Sequence, residues 1–182
     1  MPIDKSIDYS AITPEIKALT KLCLADNVIE PEMYVKYAVN RGLRDLNGNG
    51  VLTGLTEISE IQSSKMVDGE KVPCEGKLFY RGVDVEQIVS GFIREKRYGF
   101  EETVYLLLFG ALPDEAQLDD FKKLLAGYRS LPTNFVRDVI LKAPNADMMN
   151  TLARSVLTLY SYDARATDNS TENVLSQCLQ LI

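Results

Sequence analysis

Histidine is absent from all 182 residues. No imidazole can therefore activate a serine or cysteine, move a proton near neutral pH, or ligate zinc. Cysteine is scarce. Cys23, Cys74 and Cys178 are odd in number, far apart and in no paired motif. They read as small core residues of a reduced, cytoplasmic chain, not as nucleophiles, disulfides or metal ligands. Long apolar runs are missing too. The greasiest stretch, "VYLLLFGAL" (104–112), contains a glycine and is far too short to span a bilayer. The start, "MPIDKSIDYS", has no basic-then-apolar signal pattern. Positive charge is in deficit, with 20 Lys and Arg against 26 Asp and Glu and a net charge of −6. That balance leaves no electrostatic footprint for nucleic acid or a membrane surface. An anionic ligand would have to be held by locally placed arginines.

What is present suffices for a packed core. A hydrophobic content of 46% over this length supports one domain, or one and a half small ones. Catalysis by this chain alone would have to rest on carboxylates, lysine or tyrosine. One motif invites a metal: "DLNGNG" (45–50) opens like a calcium loop, with Asp45, Asn47 and Asn49 at alternate positions and Gly50 at the turn. The loop fails at its far end. The bidentate acid due at the twelfth position is Thr56, and Glu57 comes one residue late. A polar turn of residues that tolerate positive φ is the better reading, and no metal site is expected.

Periodicity divides the chain into three stretches: an N-terminal helical segment (1–40), a β-hairpin region (50–82) and a helical region (84–182). "TPEIKALTKLCLADN" (13–27) places Thr13 as N-cap and Pro14 in the first turn, with Ile16, Leu19, Leu22 and Cys23 at helical spacing. "PEMYVKYAVNRG" (31–42) predicts a second short helix stopped by Gly42. "LTEISEI" (55–61) and "GKLFYRG" (76–82) read as strands joined by a long polar loop around "DGEKVPCEGK". From Asp84 onward the pattern is helical: 84–97 capped by Asp84, the segment ending at Gly110 and Pro113, then 114–129, 133–144 capped by Thr133 or Asn134, 147–163 and 170–182. The fold class is mainly α, multi-helical, with one small β-hairpin near residues 55–82. The final helix has no glycine stop and leaves Leu181 and Ile182 on its apolar face, which reads as a truncated chain.

Several of these stretches, in order, resemble the N-terminal part of the citrate synthases. "GLRDLNGNGVLTGLTEISEI" (42–61) is similar to a glycine-rich turn leading into a first strand. "GKLFYRGVDVEQIV" (76–89) resembles the family's strand running through Tyr-Arg-Gly into a helix. "FEETVYLLLFGALPDEAQLDDF" (100–121) resembles a helix ending at Gly-x-Leu-Pro before another amphipathic helix, and "LPTNFVRDVI" and "DMMNTLARSVLTLYSYD" continue the order. The resemblance covers roughly residues 40 to 182 and implies part of a citrate synthase-like large domain.

It also implies an acyltransferase of the tricarboxylic acid cycle, which condenses acetyl-CoA with oxaloacetate to give citrate and coenzyme A. Its partners would be those two substrates and a second subunit in a homodimer through helices. No tightly bound cofactor is implied, only the coenzyme A thioester as substrate. The family's two histidines, its aspartate and its substrate arginines fall beyond the region of resemblance, so no catalytic residue is assigned here and the chain alone is expected to be inactive. Asp163 or Glu172 could serve a carboxylate-only mechanism only from an apolar pocket, and both read as solvated or capping residues. A His-Pro-Met stretch of many relatives is replaced by "ADMMN" (146–150).

One binding residue carries over. Arg44 occupies the place of a family arginine close to the phosphates of coenzyme A, where a guanidinium offers a planar, permanently charged fork. Without the resemblance, Arg44 is a solvated turn arginine. Arg81 reads instead as a buried structural arginine that satisfies backbone carbonyls near the hairpin. A further phosphate-binding arginine expected near 164–172 is not placed. The alternatives are a non-catalytic helical assembly module, whose apolar stripe over 147–163 would meet a partner helix, and part of a 2-methylcitrate synthase.

Overall fold

The computed structural model describes residues 10–40, 42–45 and 51–182. Most of "DLNGNG", 46–50, lies outside the described residues, and with it the turn that opened the calcium question.

Helix α1, Pro14–Ala25, starts as its sequence dictates, with the Ile16 N–H donating to Thr13 Oγ1 at 3.3 Å. Helix α2, Pro31–Lys36, ends six residues before the expected glycine stop at Gly42. Its chain turns left-handed at Ala38 (φ 49°), where the Val39 N–H reaches Tyr34 O at 2.9 Å and the Ala38 N–H reaches Val35 O at 3.0 Å. That pair of bonds is a Schellman motif, closed here on alanine instead of glycine.

The hairpin also differs from expectation. Strands β1, Ser59–Val67, and β2, Glu70–Tyr80, pair antiparallel, and Val67 opposite Glu70 closes a two-residue turn of Asp68 and Gly69. Both turn residues have positive φ, 52° and 84°, as primed hairpin turns require to match the twist of the strands. The residues assigned to a long loop are therefore strand. Pro73 is tolerated there for two reasons. It faces Ser64 beside the register shift between Gln62 and Ser64. On the other side, strand β3, Val83–Asp84, reaches only Phe79 and Tyr80, so no ladder bond is forfeited at the proline.

Helix α3, Val85–Glu95, follows at once, its first turn capped by Asp84 Oδ1 accepting from the Glu86 N–H at 2.9 Å. It ends on a second Schellman turn at Lys96 (φ 52°), with the Arg97 N–H donating to Phe92 O. Helix α4, Phe100–Phe109, closes at Gly110, and helix α5, Glu115–Tyr128, opens on a reciprocal box. In that box Asp114 Oδ1 accepts from the Gln117 N–H, and Gln117 Oε1 accepts from the Asp114 N–H. The expected helix over 133–144 is a π-helical turn, Val136–Leu141, preceded by Asn134 at φ 63°. Helix α6, Met148–Leu159, is capped by Asp147, runs into a 3₁₀ turn, Tyr160–Tyr162, and is followed by helix α7, Thr171–Leu181.

Two compact units result. One comprises the described residues through Lys21 together with Asp120–Ile182, and the other Leu22–Asp119. The first buries Ile16, Phe121, Leu125, Phe135, Leu175 and Leu179, with Phe135 edge-on to Tyr162 at 5.8 Å. The second buries Ile88, Tyr105, Leu106 and Phe109, with Tyr105 and Phe109 edge-to-face at 4.6 Å. Its buried carboxylate, Glu102, is paired with Arg97. The architecture is mainly helical with one small antiparallel sheet, as the periodicity predicts. Among the described residues no helix is long and apolar enough to cross a membrane.

Candidate functional site

The two arginines singled out by sequence have different surroundings. Arg81 sits at the exit of β2 in a left-handed conformation (φ 49°). Its guanidinium spreads over two helix ends. Nε and one terminal nitrogen donate to Leu107 O at 3.2 and 3.1 Å, the other donates to Asp26 O at 3.2 Å, and Asn27 Oδ1 accepts as well. Asn27 extends the knot by donating to Cys23 O and Leu108 O. The last carbonyls of a helix lack intrahelical donors, and Arg81 supplies them for α1 and α4 together. Its donors are committed to backbone carbonyls, as the sequence reading expected, but Arg81 is half-buried instead of buried and the carbonyls belong to helix ends.

Arg44 is exposed, as are its neighbours Gly42, Leu43 and Asp45. Among the described residues no side-chain hydrogen bond or ion pair engages Arg44, whereas Arg81 is engaged by three residues.

The carboxylates form a third centre, in the loop between the 3₁₀ turn and α7. Asp163 is half-buried and accepts from Ser10 Oγ at 2.6 Å, Gln177 Nε2 at 2.7 Å and the Arg165 N–H at 2.8 Å. Burial pushes its carboxyl up, but those hydrogen bonds outweigh it and hold the group below its ordinary value. Asp163 is thus neither the solvated residue nor the helix cap expected from sequence. A carboxylate so stabilised is a weak base, unsuited to removing a proton from carbon. Glu172 is half-buried in the first turn of α7, where its charge complements the helix dipole.

Asp168 orders the start of α7, where Ser170 makes no side-chain cap bond of its own. Its Oδ1 accepts from the Ser170 N–H at 2.9 Å, and Arg165 is ion-paired to its other oxygen. The Ser170 N–H and Arg165 together bring its pKa down to about 2. Arg165 is the arginine within 164–172, and Asp168 engages it. Sequence reasoning missed Asn173. It is 1% exposed, and its amide donates to Arg165 O and Asp168 O at 2.9 and 2.8 Å, pinning the loop from beneath. An asparagine in the first turn of the apolar-striped stretch 170–182 was the available signal.

An open groove of about 1010 Å³ lies in the unit that contains the C-terminal helices. Leu131, Leu141, Met148, Leu152, Tyr160 and Leu181 line it. Its wall is mostly apolar and suits side chains, not phosphates or carboxylates. Among the described residues no group of three or more acidic, cysteine or histidine side chains could hold a metal ion.

The described residues of the chain form a helical fold with one hairpin, a knot of hydrogen bonds at Arg81 and an exposed arginine before the hairpin. Comparison with known proteins gives its family. A sequence profile described as "Citrate synthase, C-terminal domain" matches residues 45–182. The citrate synthase of Saccharolobus solfataricus is 31% identical over 122 residues, covering 65% of this chain and 29% of that protein. The 2-methylcitrate synthase 1 of Corynebacterium glutamicum is 33% identical over 116 residues, covering 63% of this chain and 26% of its own length. A 2-methylcitrate synthase of Shewanella oneidensis is 39% identical over 67 residues, or 37% of this chain and 16% of that protein. The chain belongs to the citrate synthase family. It spans less than a third of the length of these relatives.

Proposed function

We propose that this chain is the scaffold and coenzyme-binding segment of a citrate synthase-type acyltransferase, which condenses acetyl-CoA with oxaloacetate and releases coenzyme A. The observation that carries this reading is the profile match over 45–182 in a chain without a single histidine. Family membership and the missing imidazole support a reading in which the reacting groups are supplied by polypeptide outside these residues. The role left to this segment is to bury a helical core and to present Arg44.

Arg44 is proposed to contact the phosphates of the coenzyme A thioester. Its exposure supports this, because its charge remains available to a ligand. Two of the relatives are named 2-methylcitrate synthases, so a longer acyl group is the second substrate reading. A reduced, cytoplasmic setting and a homodimer complete the proposal.

Incubated alone with acetyl-CoA and oxaloacetate, the 182-residue chain is expected to release no coenzyme A thiol, whereas a gene product extending past Ile182 does so. Turnover by the chain alone would overturn the assignment. In the active synthase containing these residues, Arg44→Ala is expected to weaken coenzyme A binding roughly ten-fold, the ~1.4 kcal/mol of one partly exposed charge-assisted contact. Unchanged affinity in a titration would return Arg44 to the solvated turn.

The assembly-module reading is favoured by one observation, the exposed apolar residues of α6: Met148, Met149, Leu152 and Leu157 are 57 to 81% exposed. A stop codon directly after Ile182, with an inactive chain that captures a second polypeptide, would favour it over the synthase.

A further inference from the structure

We draw no further inference here: the strongest candidate, the apolar groove between the π-helical turn, α6 and α7 with the exposed face of α6 beside it, carries nothing because nothing in the structure shows what covers it.

Discussion

Arg81 is the residue whose loss should be felt most. Alanine there would leave the carbonyls of Leu107 and Asp26, one half-buried and the other exposed, without their side-chain donor, a loss of about 1 kcal/mol for each hydrogen bond that water can partly replace. We expect Arg81→Ala to destabilise the protein by roughly 1–2 kcal/mol in urea unfolding on that basis. Arg81→Lys should recover only part, since an ammonium cannot fork across two helix ends. Equal stability of the three proteins would refute the knot. A titrating residue gives a second test. The folded-state pKa of Asp168 is depressed from 3.8 to about 2. Its contribution is therefore complete above the unfolded value and is lost as pH falls from near 4 towards 2. Asp163 is shifted the same way. Acid unfolding followed by circular dichroism should move to higher pH in Asp168→Asn. Both aspartates were visible in the sequence, but their partners were not: Ser10 lies 153 residues from Asp163, and nothing local announces such a contact.

Among the elements, helix ends separate what local rules can predict from what they cannot. Asp84 caps where the sequence put it, and Asp147 and the Asp114–Gln117 box, though not singled out from sequence, obey the same local rule, because an N-cap bond spans only two or three residues. Two C-termini broke the glycine rule, closing on Ala38 and Lys96 with φ near 50°. A left-handed L-residue costs roughly 1–2 kcal/mol, partly offset by the backbone entropy that glycine would lose. Lys96→Gly is accordingly expected to raise the melting temperature, by the equivalent of about 0.5–1 kcal/mol. A lower melting temperature would show that the Lys96 stem contributes packing. The opposite change is expected at Gly110, whose φ is 82° and where a Cβ would stand 2.9 Å from Asp26 Cβ. Gly110→Ala should destabilise by about 2 kcal/mol or more, from strain and crowding together. At the hairpin, Asp68-Gly69 was itself a strong turn signal. Pro73 obscured it, because a proline argues against strand until the register shows it beside an irregularity and an open edge.

At the scale of the molecule, the feature to explain is apolar surface. Leu157 and Met148 are 75% and 81% exposed, and contiguous apolar surface of this kind marks an interaction site or an aggregation liability. Light scattering over a concentration series should show self-association, and Leu157→Lys should reduce it without lowering the melting temperature. A monodisperse monomer at all concentrations would remove the basis for helix-mediated assembly.

The sequence by itself determined the helical class, most helix starts, the family and the absence of an imidazole, because composition, 3.6-residue periodicity and short-range caps are local properties. Tertiary structure alone decided where α2 and α3 stop, that Pro73 lies within a strand, that Arg81 serves two helix ends, and that Asp163 is an acceptor tied to Ser10. Those outcomes depend on which groups meet across long stretches of chain. Periodicity shows which face of an element is apolar, whereas only the folded chain shows what that face and the free backbone groups find opposite them.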